Sequence, residues 1–146
     1  MLAESSLNPV VDRPPFIVLV ADDSEAIRTR LAALVGHVPG VSKVAQASSA
    51  REVWECLRRD GPRVALVDVH LDDRGGGILL RQIKTEFPAL VLVALTRYAG
   101  AQLAATYRDC GADQCFDKTT ELGEIIRTLA QLTRPIAKNA TRKEDT

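Results

Sequence analysis

The sequence predicts an α/β protein: a doubly wound, parallel, five-stranded sheet made of five βα units in series. Two observations carry that prediction. Short, near-continuous apolar runs alternate with longer stretches of helical apolar spacing. In addition, two of the apolar runs stop directly on acidic residues: Phe16-Ile-Val-Leu-Val-Ala21 meets Asp22-Asp23, and Val64-Ala-Leu-Val67 meets Asp68. Continuous apolar runs suit strands covered on both faces, and right-handed crossovers supply a helix to each face.

The elements follow in order. Residues 16–21 form the first strand. Ile27, Leu31, Leu34 and Val35 share one face of the first helix, with Gly36 as its stop. Residues 41–47 are mixed in polarity and read as an edge strand. Ser49 and Glu52 have capping-box spacing ahead of Val53 and Leu57. Residues 63–67 form the third strand, and Leu79, Leu80, Ile83 and Phe87 form a helical stripe stopped by Pro88. Residues 90–95 are the fourth strand. Leu103, Tyr107 and Cys110 form a weaker stripe stopped by Gly111. Residues 113–117 are a short edge strand, followed by the clearest stripe: Leu122, Ile125, Ile126, Leu129 and Leu132.

Composition narrows the function classes. The 146 residues fit one domain with a real core. Lys plus Arg and Asp plus Glu number 19 each, so no general attraction to nucleic acid or anionic membrane is expected. No apolar run is long enough to span a bilayer, and the N-terminus lacks the basic start and apolar core of a signal peptide. Cys56, Cys110 and Cys115 have neither CxxC nor zinc spacing and read as core fillers in a reducing, cytoplasmic setting. Residues 1–15 read as a flexible polar leader, 16–133 as the folded domain and 134–146 as a polar tail that begins near Pro135.

The acidic residues suggest chemistry. A carboxylate just past a buried parallel strand lies on the carboxyl edge of the sheet, where open α/β sheets bind ligands. Asp22, Asp23 and Asp68 there would repel one another unless a cation joined them. They are candidates for a Mg²⁺ site beside a reactive carboxylate. The bland alternatives are that Asp22 or Asp23 caps the helix beginning near Ser24, and that Asp68 is a strand-end turn residue.

Four anchors in order carry a family resemblance. They are Asp22-Asp23 after the first strand, Asp68 in Leu66-Val-Asp-Val-His70, Thr96 in Ala94-Leu-Thr-Arg97, and Lys118 closing Gly111-Ala-Asp-Gln-Cys-Phe-Asp-Lys118. Gly76 lies eight residues after Asp68. With these anchors the core from Phe16 to Thr133 resembles a response-regulator receiver domain of two-component signalling. The resemblance implies a flavodoxin-like strand order, 2-1-3-4-5. It also implies that Asp68 is the phosphoacceptor, that Asp23, Asp68 and the backbone carbonyl of His70 bind Mg²⁺ directly, and that Asp22 acts mainly through a metal-bound water. Lys118 and the Thr96 hydroxyl would each serve one phosphoryl oxygen, and Lys118 would pair with Asp68 before phosphorylation.

The implied partners are a histidine kinase or histidine phosphotransfer protein, docking on the first helix around residues 27–34. A downstream protein would read the surface of the fourth helix, fifth strand and fifth helix, residues 100–133. The implied protein is a non-enzymatic, cytoplasmic signalling protein, a monomer or phosphorylation-linked homodimer that binds neither nucleic acid nor membrane. Only about thirteen residues follow the fifth helix, too few for a helix-turn-helix unit, so a stand-alone regulator is expected. The competing readings are a receiver-like interaction module that works without phosphate and a Mg²⁺-dependent phosphohydrolase.

Several residues depart from the family pattern. Asp72 stands where proline is common, and with Asp73 it adds negative charge near the pocket. Arg97 follows the switch hydroxyl where a small residue is usual; its bulk would narrow access to Asp68, or its charge would contact the phosphoryl group. Cys115 holds the aromatic switch position, and alternation points the adjacent Phe116 to the opposite face. Tyr98 and Tyr107 are candidate substitutes. Thr119 replaces a common proline after Lys118. His70 is expected to place its imidazole at the pocket rim. Gly75-Gly76-Gly77 lacks the GK[ST] of a P-loop and reads as a flexible loop.

Overall fold

The computed structural model describes residues 14–97 and 100–132. Nearly all of the expected leader, the whole of the expected tail, Thr133 and Tyr98 lie outside those residues. Strand and helix alternate throughout: β1 (Phe16–Ala21), α1 (Glu25–Gly36), β2 (Val41–Ala47), α2 (Ala50–Asp60), β3 (Val64–Asp68), α3 (Gly76–Glu86), β4 (Val91–Thr96), α4 (Ala101–Asp109), β5 (Gln114–Asp117) and α5 (Leu122–Leu132). The strands form one parallel sheet in the order β2-β1-β3-β4-β5, with β2 and β5 at its edges as the sequence predicts.

Strand alternation splits the core in two. Leu19, Ala21, Ala65, Val67, Leu92 and Ala94 point to the face covered by α2, α3 and α4. Val18, Val20, Val64, Leu66, Val93 and Leu95 point to the face covered by α1 and α5. Cys115 packs with the first set and Phe116 against the second, so the two residues do lie on opposite faces. β3 and β4 start one residue later than predicted and include Asp68 and Thr96. Both of these polar residues stay in the ladder, Asp68 beside Leu95 and Thr96 beside Asp117. The sheet therefore fixes the backbone from which both side chains project.

Some local expectations are corrected. In α1 the buried face is Leu31, Ala32 and Val35, whereas Leu34 is 40% exposed. Gly36 is the last helical residue of α1, and the positive φ belongs to Gly40. Ser49 caps α2 by accepting from the Glu52 N–H, but the Glu52 carboxylate reaches back to the N–H of Ser48, not that of Ser49. In α4 the buried residue is Ala104; Leu103, Tyr107 and Cys110 are half-buried.

The glycine run is not a loop. Only Gly75 precedes the helix, as an N-cap with φ 114°, while Gly76 and Gly77 are the first residues of α3. A Cβ on Gly76 would overlap the carbonyl oxygen and Cβ of Val69, and one on Gly77 would press on the Cys110 Sγ at 2.8 Å. Missing side chains let α3 lie directly on the end of β3, so that the residues flanking Asp68 are braced by helix backbone.

Candidate functional site

Every anchor arrives at the carboxyl edge from a different strand end. Asp22 follows β1, and its N–H donates to Ala47 O at 3.0 Å. Its carboxylate is fully buried, and Oδ1 accepts the Ser24 N–H at 2.8 Å. Arg28 Nη1 donates to the Asp22 carbonyl at 2.9 Å. The cap of α1 is Ser24, whose Oγ accepts from Ile27 N–H, so neither aspartate fills that role. Asp68 ends β3 with 1% exposure, and its Oδ1 accepts the His70 N–H at 3.0 Å. Thr96 ends β4 and is 1% exposed; the N-cap of α4 is Gly100, so Thr96 is not a cap. Lys118 follows β5, tied by its N–H to Thr96 O at 2.8 Å.

The side chains converge. Lys118 Nζ donates to Asp22 Oδ2 at 2.8 Å and to Asp68 Oδ2 at 3.1 Å. The ammonium thus makes the pair with Asp68 that the resemblance implied and bridges it to a second buried carboxylate, Asp22. Burial pulls the lysine's pKa down, but the hydrogen bonds and charges of Asp22 and Asp68 outweigh it and hold Lys118 above its ordinary value. Asp23 is exposed at the mouth. One oxygen from each of Asp22, Asp23 and Asp68 lies within 4.8 Å of the others. Asp23, Asp68, His70, Arg97 and Lys118 line the cleft that opens above them, with His70 and Arg97 both exposed. Three hard oxygen donors at this spacing suit Mg²⁺, which favours carboxylates and retains waters.

The departures from the family pattern have local explanations. Asp72 does not load the cleft with charge. Its carboxylate accepts the Arg74 N–H at 2.9 Å and pairs with the Arg74 guanidinium at 2.7 Å, while its carbonyl accepts the Gly75 N–H at 3.0 Å. The Arg74 hydrogen bonds hold the Asp72 carboxyl below the usual range. After Lys118, Asp117 holds the turn: Oδ1 accepts the Thr119 N–H at 2.8 Å, the Thr119 hydroxyl at 2.7 Å and the Thr120 N–H at 3.1 Å. Asx turns of this kind constrain backbone much as a proline does. Cys115 is buried, which raises its thiol pKa and leaves it protonated at neutral pH. Tyr107 is half-buried against the same core cluster; Tyr98 lies outside the described residues.

Sequence reasoning missed Ser24 and Arg28, which contact Asp22, and Arg74 and Asp117, which hold the loops after Asp68 and Lys118; none of the four lines the cleft. Two of them carried a readable signal: Ser24 directly precedes a helical stripe, and Asp117 is followed by threonines at turn spacing.

Comparison with known proteins agrees with this geometry. The family model of the response regulator receiver domain matches residues 18–130. A protein-glutamate methylesterase/protein-glutamine glutaminase of Rhizobium etli is 28% identical over 135 residues, covering 86% of this chain and 39% of that protein. A second of that name, from Anaeromyxobacter dehalogenans, is 35% identical over 128 residues, covering 84% of this chain and 37% of its own. The chain therefore spans well under half the length of these relatives. A receiver domain protein from Methanospirillum hungatei superposes with a TM-score of 0.70 at 21% identity, covering 82% of this chain and 94% of that one. At that identity the likeness concerns the fold.

Proposed function

This chain belongs to the response regulator receiver domain family, and on that premise we propose that Asp68 accepts a phosphoryl group from a histidine kinase or histidine phosphotransfer protein. The observation that carries the proposal is the buried Lys118 ammonium shared by Asp22 and Asp68, with Asp23 at the cleft mouth. A structural ion pair would need one carboxylate. Three carboxylates around one ammonium leave uncompensated negative charge, which a divalent cation would match.

Asp23, Asp68 and the backbone carbonyl of His70 would hold Mg²⁺, with Asp22 acting on it mainly through water. When bound, the cation would neutralise charge on the phosphoryl oxygens. The protein's own groups do the rest. The His70 N–H and the Lys118 ammonium each hold one Asp68 oxygen, which orients the carboxylate toward the cleft. An Asp68 oxygen attacks phosphorus; the phosphorus bond to the donor nitrogen breaks, and its electron pair leaves with the donor imidazole. Lys118 then turns from Asp68 to one phosphoryl oxygen, and the Thr96 hydroxyl donates to another. Loss of the Lys118–Asp68 contact and gain of the Thr96 contact pull on β4 and β5, which feed α4 and α5. The signal would leave through that α4–β5–α5 face, read by a protein partner. It is a binding change, not turnover of a substrate.

Two features support docking of the donor on α1. Leu34 is exposed, and Ile27, Arg30 and Leu31 share a groove with Lys118, Thr119 and Leu122, next to the acidic site. No helix among the described residues is long and apolar enough to cross a membrane. We place the protein in the cytoplasm, where the kinase would meet it, as a monomer or a phosphorylation-linked homodimer.

The test is incubation with Mg²⁺ and a phosphodonor, either a phosphorylated kinase or a small acyl phosphate, followed by intact-mass measurement. The expected result is gain of one phosphoryl group by the wild-type protein and none by Asp68→Asn. A wild-type mass unchanged with every donor would favour an interaction module that works without phosphate.

A further inference from the structure

We propose that Arg97 is a second phosphoryl-binding cation, acting from the cleft mouth while Lys118 acts from its floor. This inference rests on the phosphoacceptor reading of Asp68 and deepens it. Sheet register places Asp68 beside Leu95. Two residues further along the same chain paths come His70 and Arg97, so the pairing that positions Asp68 also brings Arg97 to the cleft. Arg97 lines that cleft with Asp23, Asp68, His70 and Lys118, and its side chain is exposed where Lys118 is buried.

Charge balance shows what it would do there. Asp22, Asp23 and Asp68 against Lys118 leave an excess of negative charge that one divalent cation cancels. Phosphorylation turns the Asp68 carboxylate into an acyl phosphate and adds negative charge again. Lys118 keeps its bond to Asp22 and can serve only one phosphoryl oxygen from the cleft floor. Among the residues lining the cleft, Arg97 is the other permanent cation, and its planar fork of N–H donors matches phosphoryl oxygens. The guanidinium would donate to the phosphoryl oxygen that faces solvent. Before phosphorylation the same positive charge would oppose a metal ion in the acidic cluster.

These two roles have opposite signs, and the experiment uses that. Mg²⁺ alone is titrated calorimetrically into the unphosphorylated protein at low ionic strength. Beryllofluoride, a phosphoryl mimic, is then titrated at saturating Mg²⁺ and followed by ¹⁹F NMR. Arg97→Ala is expected to tighten Mg²⁺ about threefold, a modest value because water around the exposed charge keeps the local dielectric high. The same change is expected to weaken beryllofluoride about tenfold, the scale of one lost charge-assisted hydrogen bond. Arg97→Lys should keep Mg²⁺ near the wild-type value and recover only part of the beryllofluoride affinity. Unchanged beryllofluoride affinity in Arg97→Ala would overturn the inference, and so would joint weakening of both ligands, which would indicate structural damage. Wild-type protein that does not bind beryllofluoride, or an Asp68→Asn variant that binds it equally well, would overturn the phosphoacceptor reading along with the inference.

Discussion

Lys118→Ala is expected to destabilise the fold by about 3 kcal/mol in the presence of a chelator, and to reduce phosphoryl acceptance at least a hundredfold. The stability figure follows from the environment. Asp22 and Asp68 are buried to 0% and 1% exposure, and the ammonium holds both at 2.8 and 3.1 Å. Breaking a buried pair by removing one partner typically costs about 3–5 kcal/mol, because the other charge is left without compensation. We take the low end because a carboxylate can bind a proton or a cation instead. Mg²⁺ at a hundred times its Kd would contribute about 2.7 kcal/mol, and the variant has no competing ammonium. The stability gap to wild type should therefore narrow when Mg²⁺ is added, while phosphoryl acceptance stays lost. Chemical denaturation with and without Mg²⁺ measures the first effect and intact mass the second. The pH dependence has a matching sign. Lys118 is raised in the fold, so its contribution is whole below the ordinary lysine value of about 10.4 and is lost as pH climbs through the higher folded value. Wild-type protein should lose stability there more steeply than Lys118→Ala. Equal stability of the two proteins in chelator would contradict the buried bridge.

Gly76→Ala has the second large effect, and its direction is decided by two opposing magnitudes. In an exposed helix the change would stabilise by about 1 kcal/mol through helix propensity. Here the new methyl would meet the Val69 carbonyl and Cβ, and overpacking of this kind costs about 1–3 kcal/mol or more. Backbone cannot rotate away as a flexible side chain can, so overpacking wins. A net loss of about 2 kcal/mol is expected. Function should fall further than stability, because Val69 sits between Asp68 and His70, whose N–H orients the Asp68 carboxylate at 3.0 Å. Gly75→Ala is the contrasting control: a Cβ there has open space, and its cost comes from the φ of 114° alone. Denaturant midpoints at unchanged m-value, set beside the yield of phosphorylated protein, would separate the two effects.

The fold was legible wherever one physical signal dominated. Buried parallel strands must be apolar on both faces, so β1, β3 and β4 stand out as runs, and the acids that end two of them mark the carboxyl edge. The mixed pattern of residues 41–47 identified an edge strand correctly for the same reason. Signals that depend on partners distant in sequence did not show. Leu34 has the spacing of a core residue, yet small Ala32 takes the buried place, since periodicity cannot choose between neighbours on the rim of a stripe. Gly76 and Gly77 look like a loop because glycine is a poor helix former; their purpose is close contact with Val69 and Cys110, which sequence spacing does not reveal. The charge of Asp72 suggests a loaded pocket, although its partner Arg74 lies only two residues on. At the site, residue types and strand ends pointed to Asp22, Asp23 and Asp68, and the family resemblance added Lys118, but neither showed the ammonium bridging Asp22 and Asp68. That arrangement depends on β1 and β3 being neighbours with β5 reaching over from the sheet edge.

The most direct measurement is the chemical location of the phosphoryl group. Protein phosphorylated in Mg²⁺ is reduced with borohydride, which converts an aspartyl phosphate to homoserine, and its peptides are sequenced by mass spectrometry. Homoserine at position 68 alone is the predicted result, absent when Mg²⁺ is chelated. Label at another aspartate or at His70, or a phosphoryl group that forms equally well without the metal, would contradict it.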